Sequence, residues 1–150
     1  QNGIHMIDRC CWWVGSRVVA VKAMLGSRFH DFSADDVAMA MLHFENGVYA
    51  TLIHVWWQYG ATRFSTDFVC TEGMIGLDNQ NGQVLVGKDG TYEQRVVRDS
   101  HNAFHRQLEA FVEAVETGNE PPVGGAYGRE MVRVLKACEE SARTGREILL

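Results

Sequence analysis

Proline and positive charge are both scarce in this sequence. Only 2 of its 150 residues are proline, and acidic residues outnumber basic ones by 19 to 14, which gives a formal net charge of -5. Hydrophobic residues make up 46% of the chain, so the composition indicates neither disorder nor low complexity. A chain with an isoelectric point near 5.6 lacks the basic surface that nucleic acids and anionic membranes require of their partners. We therefore expect a globular domain with one core, no nucleic-acid partner and no membrane partner.

Long apolar runs and cysteine motifs are also absent. The longest apolar stretch, residues 48–57, is interrupted by His54 and is too short to span a bilayer. The four cysteines contain no Cys-x-x-Cys pair, and their spacing indicates neither a disulfide framework nor a zinc site. Reduced thiols favour a cytoplasmic protein, and no bound metal is expected. No signal peptide is visible, but the true N-terminus is not seen, so the sequence leaves targeting open.

Nucleotide-binding glycine motifs are missing as well. No Gly-x-Gly-x-x-Gly follows a strand and no Gly-x-x-x-x-Gly-Lys occurs, while the glycines at 124, 125 and 128 have the wrong spacing. We therefore do not expect this chain to hold a dinucleotide tightly by itself.

The most suggestive chemistry lies at the first residues. Asn2 or Gly3 can cap a helix on which His5, Asp8 and Trp12 follow at spacings of three and four, so these side chains share one face. An imidazole and a carboxylate on one face can form a proton-handling site. Because no methionine, loop or strand precedes this helix, we expect the chain to be part of a larger protein.

A β-hairpin is predicted at residues 36–44 and 48–57, on either side of Asn46-Gly47. A two-residue loop would pair Glu45 with Val48. One face would then carry Val37, Met39, Met41, His43, Ala50, Leu52, His54 and Trp56. We interpret the two histidines of this face as interface or core residues. Since both faces are largely apolar, each requires a cover.

Further strands are predicted at 17–25, 64–70, 74–77, 83–86 and 91–97. The apolar period then changes to that of helices, over residues 104–115 and 127–142. Three helices can cover one face of a sheet, and the apolar face that remains predicts a partner surface, either a second copy or the missing part of the chain. Of these we expect a homodimer or a higher homo-oligomer. The expected fold is a single α+β domain over 1–150, with a large mixed, mainly antiparallel open β-sheet, helices on one face and oligomerisation through the other.

Five motifs in one order resemble the C-terminal half of the Gfo/Idh/MocA family of NAD(P)-dependent oxidoreductases, over nearly the whole chain. They are Gly3-x-His5-x-x-Asp8 with Trp12, Trp13 and Gly15; Asp35-Asp36-x-Ala38 leading to Phe44-Glu45-Asn46-Gly47; Thr71-Glu72-Gly73-Met74-Ile75-Gly76; Phe104-x-x-x-Leu108-x-x-Phe111-Val112; and Ser141-Ala142-x-x-Gly145-Arg146. The resemblance implies that NAD or NADP is bound mainly by a Rossmann domain absent from this chain, together with a catalytic lysine. This half would supply substrate contacts and the oligomerisation sheet.

The resemblance also implies site residues. His5 would face the substrate alcohol near the nicotinamide and act as, or assist, the acid/base, which suits an imidazole near neutral pH. Substrate contacts are expected from Gln1, Asn2, Asp8, Tyr59 and Arg63. Many family members have an aspartate where this chain has Gln1, and an amide cannot take a proton, so acid/base duty shifts toward His5 and the lysine of the absent domain.

Several of the candidate residues also have a simpler structural interpretation. Asp8 can instead pair with Arg9 or another basic group, and Tyr59 and Arg63 can be solvated surface residues. A histidine pair with Glu109, at spacings of four, can bind a metal or form a solvated helix face; its members are His101 and His105.

The expected function is that of the substrate-binding and dimerisation domain of an enzyme that transfers hydride between NAD(P) and a secondary alcohol of a sugar, cyclitol or related polyol. By itself the chain is expected to be inactive. Two alternatives remain: an NAD-assisted elimination or glycoside-cleaving enzyme of the same fold, and a non-catalytic dimeric ligand-binding module. The sequence leaves substrate identity, stereochemistry and the choice between NAD and NADP open.

Overall fold

Within the described residues, one helix is followed by seven strands, two further helices and a short last strand. The computed structural model describes residues 3–31, 33–56, 65–78, 81–96 and 102–150. Its helices are α1 (Gly3–Val14), α2 (Ala103–Thr117) and α3 (Gly125–Thr144). Its strands are β1 (Val18–Gly26), β2 (Val37–Phe44), β3 (Tyr49–Val55), β4 (Ser65–Cys70), β5 (Gly73–Asp78), β6 (Gln83–Lys88), β7 (Thr91–Val96) and β8 (Ile148–Leu149). The predicted α+β class is confirmed.

The strands form two four-stranded sheets rather than the single large one expected. The first has the order β3-β2-β1-β8 and the second the order β4-β5-β6-β7, and every strand pair among the described residues is antiparallel. The chain divides accordingly into two units, Gln1–Gln58 with Pro122–Leu150, and Tyr59–Pro121.

Helices α1 and α3 cover one face of the first sheet, which we call the inner face. It carries Ala38, Ala40, Leu42, Phe44, Ala50, Leu52 and His54. Leu42 and Phe44 are fully buried there, and they pack in one cluster with Ile7 of α1 and Val134 of α3. The apolar period of α3 predicted this packing, and its end at a left-handed Gly145, with φ of 68°, matches the expected stop signal.

The β2-β3 hairpin differs from the predicted one by a single residue of register. Its loop has three residues: Gly47 N donates to Phe44 O at 2.9 Å, Phe44 N donates to Val48 O at 2.9 Å, and Gly47 adopts a φ of 84°. This is a turn followed by a left-handed residue, the common three-residue alternative to a two-residue Asn-Gly loop. The expected pairing of Glu45 with Val48 is therefore wrong.

The shift of register exchanges the faces of β3. His43 pairs with Tyr49, and Ala38 pairs with His54, so the two histidines lie on opposite faces instead of sharing one. His43 stacks on Tyr49, with ring centroids 4.3 Å apart. We call this side the outer face of the first sheet; it carries Met24, Met39, Met41, His43, Tyr49, Thr51, Ile53 and Val55.

A buried serine completes the edge of the first sheet. Strand β8 pairs only with Ala20 and Val21, so the amide of Ala23 extends beyond it. Ala23 N donates to Ser141 Oγ at 2.9 Å, and that hydroxyl donates to Arg146 O at 2.6 Å. Ser141 is fully buried, and its hydroxyl satisfies two backbone groups where strand pairing stops.

The second sheet is a four-stranded meander with glycine at two close approaches. Gly73 has a φ of 154°, and a Cβ there would lie 2.3 Å from Gly87 O. Gly87 is itself covered by the ring of its cross-strand partner Tyr92. In the same unit, α2 begins at an Asn102 cap and has no buried residue; its exposed apolar side chains are Phe104, Leu108, Phe111, Val112 and Val115.

Replacing Gly73 by alanine is expected to lower the free energy of unfolding by about 2 kcal/mol. Alanine would be strained at this positive φ, and its methyl group would collide with the Gly87 carbonyl. Gly128→Ala in α3 is the control. It has open space around it and should be neutral or stabilise by about 0.5–1 kcal/mol. Urea unfolding followed by circular dichroism measures both, and an unchanged midpoint for Gly73→Ala would contradict the expectation.

Candidate functional site

Helix α1 presents its polar face outward. It packs an apolar stripe into the core, formed by Ile4, Ile7, Cys11 and Val14. His5, Arg9 and Trp12 lie on the other side and are exposed, Trp12 to 75%. The guanidinium of Arg9 lies 6.0 Å from the ring centroid of Trp13. The structure thus leaves the His5 imidazole accessible on the first turn of α1, as a residue that contacts a substrate must be.

Asp8 has a partner that the sequence did not suggest. The Tyr127 hydroxyl donates to Asp8 Oδ1 at 2.6 Å and lies 3.3 Å from the Asp8 carbonyl oxygen. Burial and the Asp8 carboxylate raise the pKa of Tyr127, so its phenol remains a protonated donor at neutral pH. Asp8 therefore ties α1 to the first turns of α3, and its contact with substrate stays a prediction.

The other expected substrate residues lie outside the described part of the chain. The described ranges do not include Gln1, Asn2, Tyr59 or Arg63. Their roles remain predictions from the resemblance.

A buried carboxylate organises the loop between β1 and β2. Asp36 is 1% exposed, and its oxygens accept the backbone N–H groups of Arg28, Phe29 and His30 at 2.7, 2.7 and 2.8 Å. His30 Nδ1 lies 3.3 Å from Asp36 Oδ2. Burial by itself would raise the pKa of Asp36, but these hydrogen bonds outweigh it and hold the pKa at about 2. Asp36 therefore stays ionised at neutral pH.

Three rings lie at the same end of the first sheet. Trp56 N donates to Asp36 O at 2.7 Å, and the Trp56 ring packs 4.9 Å from the ring of His30, tilted by 32°. His54 lies two residues before Trp56 on the inner face, where burial lowers its pKa. We call this end, where β1 and β3 finish and β2 begins, the far end of the first sheet.

The first turn of α1 is directed toward the far end. Beyond its last turn, Ser16 Oγ accepts from Asn46 N at 3.3 Å, and Arg17 forms a bidentate pair with Glu45 at 2.8 and 3.0 Å. These contacts fix the carboxyl end of α1 beside the 45–47 loop. Because α1 also packs against β3, its 12 residues lead back from that loop toward the far end, with His5 on the first turn.

Among the described residues, the remaining candidate groups form no metal-binding cluster. Burial raises the pKa of both Cys11 and Cys138 to about 11, so these thiols are protonated at neutral pH and serve packing. His105 Nδ1 lies 3.2 Å from Glu109 in an exposed ion pair, while His101 is outside the described residues. Among the residues that the structure describes, no three metal-binding side chains come together.

No helix in the described ranges combines the length and the apolar character needed to cross a membrane.

Each of the two units contains a four-stranded antiparallel sheet, and the described chain is of the α+β class. A model of the GFO/IDH/MocA C-terminal domain matches residues 1–76, about half of the chain. The chain belongs to this family. A comparison with curated proteins gave no significant match.

Solved structures share this fold over nearly the whole chain. The aldose-aldose oxidoreductase of Caulobacter crescentus, in complex with glycerol, is 26% identical with a TM-score of 0.84; the match covers 99% of this chain and 46% of that one. An oxidoreductase of Agrobacterium radiobacter, in complex with NAD+, L-tartaric acid and magnesium, is 20% identical with a TM-score of 0.82 and coverage of 99% and 48%.

A levoglucosan dehydrogenase, in complex with NADH and levoglucosan, is 17% identical with a TM-score of 0.84 and coverage of 99% and 48%. The chain spans about half the length of each of these three proteins.

The Asp36 carboxylate is expected to make stability depend on pH in the acid range. Its pKa falls on folding from 3.8 to about 2, so its contribution is complete above 3.8 and is lost as the pH falls toward 2. The thermal midpoint should therefore drop over this range in the native protein and less in Asp36→Asn, which should be the less stable of the two at neutral pH. Asp31→Asn, exposed in the same loop, is the matched control and should behave like the native protein.

Proposed function

We propose that this chain is the substrate-binding half of an NAD(P)-dependent oxidoreductase that acts on a secondary alcohol of a sugar, cyclitol or related polyol. The observation that carries the proposal is the accessible His5 on the first turn of α1, in a domain that belongs to the GFO/IDH/MocA family. Relatives of the same fold include enzymes in complex with glycerol and with levoglucosan, which supports a polyhydroxylated substrate.

The chemistry assigned to His5 is proton transfer. When a secondary alcohol is oxidised, the carbinol C–H bond breaks and its electron pair leaves with the hydrogen as hydride. The hydroxyl proton passes to the His5 imidazole as the C=O bond forms, and the imidazolium later releases that proton to solvent. The reverse reaction uses the same groups in the opposite order.

A nicotinamide dinucleotide, when bound, supplies the hydride acceptor. An accessible imidazole beside an exposed guanidinium and indole rings fits the substrate side of such a site. We assign the phosphate-binding part to polypeptide outside residues 1–150, in keeping with the half-length coverage of the related structures. The described residues would then orient the alcohol and handle its proton.

We further propose that the outer face of the first sheet joins two copies of the chain. Its apolar side chains are strongly exposed, with Met24 at 71%, Ile53 at 61%, Met41 at 54% and Met39 at 46%. A strip of exposed apolar side chains on one face of a sheet is typical of a protein interface. A two-fold dimer would bury the same strip on both copies.

His5→Ala in the full-length protein is expected to lower kcat by about 100-fold or more, since general acid/base catalysis contributes about 10²–10⁴. The dissociation constant for nicotinamide dinucleotide should change by less than about twofold, because His5 is assigned to the substrate side. Turnover against a panel of sugars and cyclitols, followed by nicotinamide absorbance, measures the effect. His105→Ala on the exposed surface of α2 is the control.

The same panel separates this proposal from its alternatives. Native turnover that is unaffected by His5→Ala would remove His5 from the mechanism. If the dinucleotide binds but its absorbance does not change while an eliminated or cleaved sugar accumulates, the elimination or glycoside-cleaving function replaces the proposed one. If sugars bind but no product forms, the chain belongs to a ligand-binding module.

Ile53→Asp is expected to weaken self-association by about 100-fold or more, because it would bury an unpaired charge between the two copies. The single chain should still fold, since Ile53 is 61% exposed in it. Light scattering coupled to size-exclusion chromatography gives the mass. Val132→Asp, at a 46% exposed apolar position on α3, is the control. An unchanged mass for Ile53→Asp would exclude the outer face as the interface.

A further inference from the structure

The inner face of the first sheet changes character in its last two rows. Over most of its area this face is apolar and lies under α1 and α3. Ala40 and Leu52, which pair with each other, pack against the buried core. The next row pairs Ala38 with His54, and neither belongs to the core cluster. The last row joins Asp36 and Trp56 through a backbone hydrogen bond. Polar and aromatic side chains therefore replace the aliphatic ones where the cover of the helices ends.

The small side chain of Ala38 leaves space beside His54. Across the strand pair from His54 there is only a methyl group, and His54 retains partial exposure. Trp56, two residues after His54 and one past the end of β3, is 44% exposed. An imidazole and an indole thus lie close together along the chain at the far end, toward which the first turn of α1 is directed.

The Trp56 ring packs against a side chain that is itself anchored. That side chain is His30, which is held twice by one oxygen of Asp36, through its backbone N–H at 2.8 Å and its Nδ1 at 3.3 Å. The His30 side chain is only 16% exposed. An exposed aromatic ring that is anchored by a buried carboxylate loses little conformational entropy when a ligand binds, which favours a binding role over simple packing.

We infer that Trp56 and His54 form the wall of the substrate site that binds the non-reacting part of a sugar ring. A pyranose has an apolar face of C–H bonds that can lie on the indole of Trp56, while its hydroxyls can exchange hydrogen bonds with the imidazole of His54. His30 and Asp36 are positioning residues, which hold the indole without touching the sugar. This inference rests on the proposed function and adds to it the sugar-ring subsite and its residues.

The two parts of the site have different roles in this inference. His5 handles the proton at the reacting carbon, and the His54-Trp56 wall contributes binding energy away from it. Removing a wall residue should therefore raise KM, while removing His5 lowers kcat.

The test uses the full-length protein, saturated with the nicotinamide dinucleotide, and the best sugar or cyclitol of the panel. His54→Ala and Trp56→Ala are each expected to raise KM about tenfold, the loss of one neutral hydrogen bond or one stacking contact, with kcat changed less than threefold. Conservative replacements, His54→Gln and Trp56→Phe, should recover most of the affinity. His105→Ala is again the control, with KM unchanged.

A second readout does not depend on turnover. Titration of the native protein with the same sugar should change its tryptophan fluorescence, and Trp56→Phe should abolish most of that change while binding persists.

The outcomes separate the inference from the proposed function. If the native protein oxidises a sugar and both alanine variants keep its KM, the wall is wrong and the oxidoreductase function stands. If the conservative variants fail as badly as the alanine variants and have lower thermal midpoints, the residues are structural and the inference is overturned. If no sugar or cyclitol is bound or converted by the native protein, the proposed function fails and the wall fails with it.

Discussion

The buried carboxylate of Asp36 is the interaction on which the far end of the first sheet depends. It collects three backbone N–H groups of the preceding loop and an imidazole, while its own carbonyl continues the strand pairing to Trp56. Ordering a loop costs conformational entropy, and these charge-assisted contacts with residues 28–30 offset part of that cost. The buried charge of Asp36 thereby positions the His30 ring, and the Trp56 ring packs against His30.

The helices could be predicted from the sequence because their determinants are local. Apolar residues at spacings of three and four define the buried side of α3, and the glycines at 118 and 145 stop α2 and α3 in the left-handed conformation that the end of a helix favours. The class of fold followed from these helices and from the hairpin.

The register of the hairpin could not be fixed in the same way. An Asn-Gly pair supports both a two-residue and a three-residue loop, and the two differ by one residue in pairing. That single residue moved His54 from the outer face to the inner face. A histidine that the sequence suggested as part of an interface is thus available to the candidate site.

Long-range partners were equally invisible in the sequence. His5 and Asp8 could be placed on one helix from their spacing, but the hydroxyl that binds Asp8 comes from Tyr127, more than a hundred positions away. The pairing of His30 with Asp36 spans only six positions, yet it depends on a turn that no residue pattern specified. The chemistry of single residues could be predicted from the sequence, whereas their contact partners became known only from the fold.

Ser141 has a consequence for how this domain can change over evolutionary time. Successive residues of a helix are about 100° apart around its axis, so rotating α3 by one position would carry the hydroxyl away from the Ala23 amide and leave that amide unsatisfied in the interior. The hydrogen bond of one small side chain therefore fixes the rotation of a 20-residue helix about its own axis. Core residues around it can drift in size while the helix keeps the same side turned to the sheet.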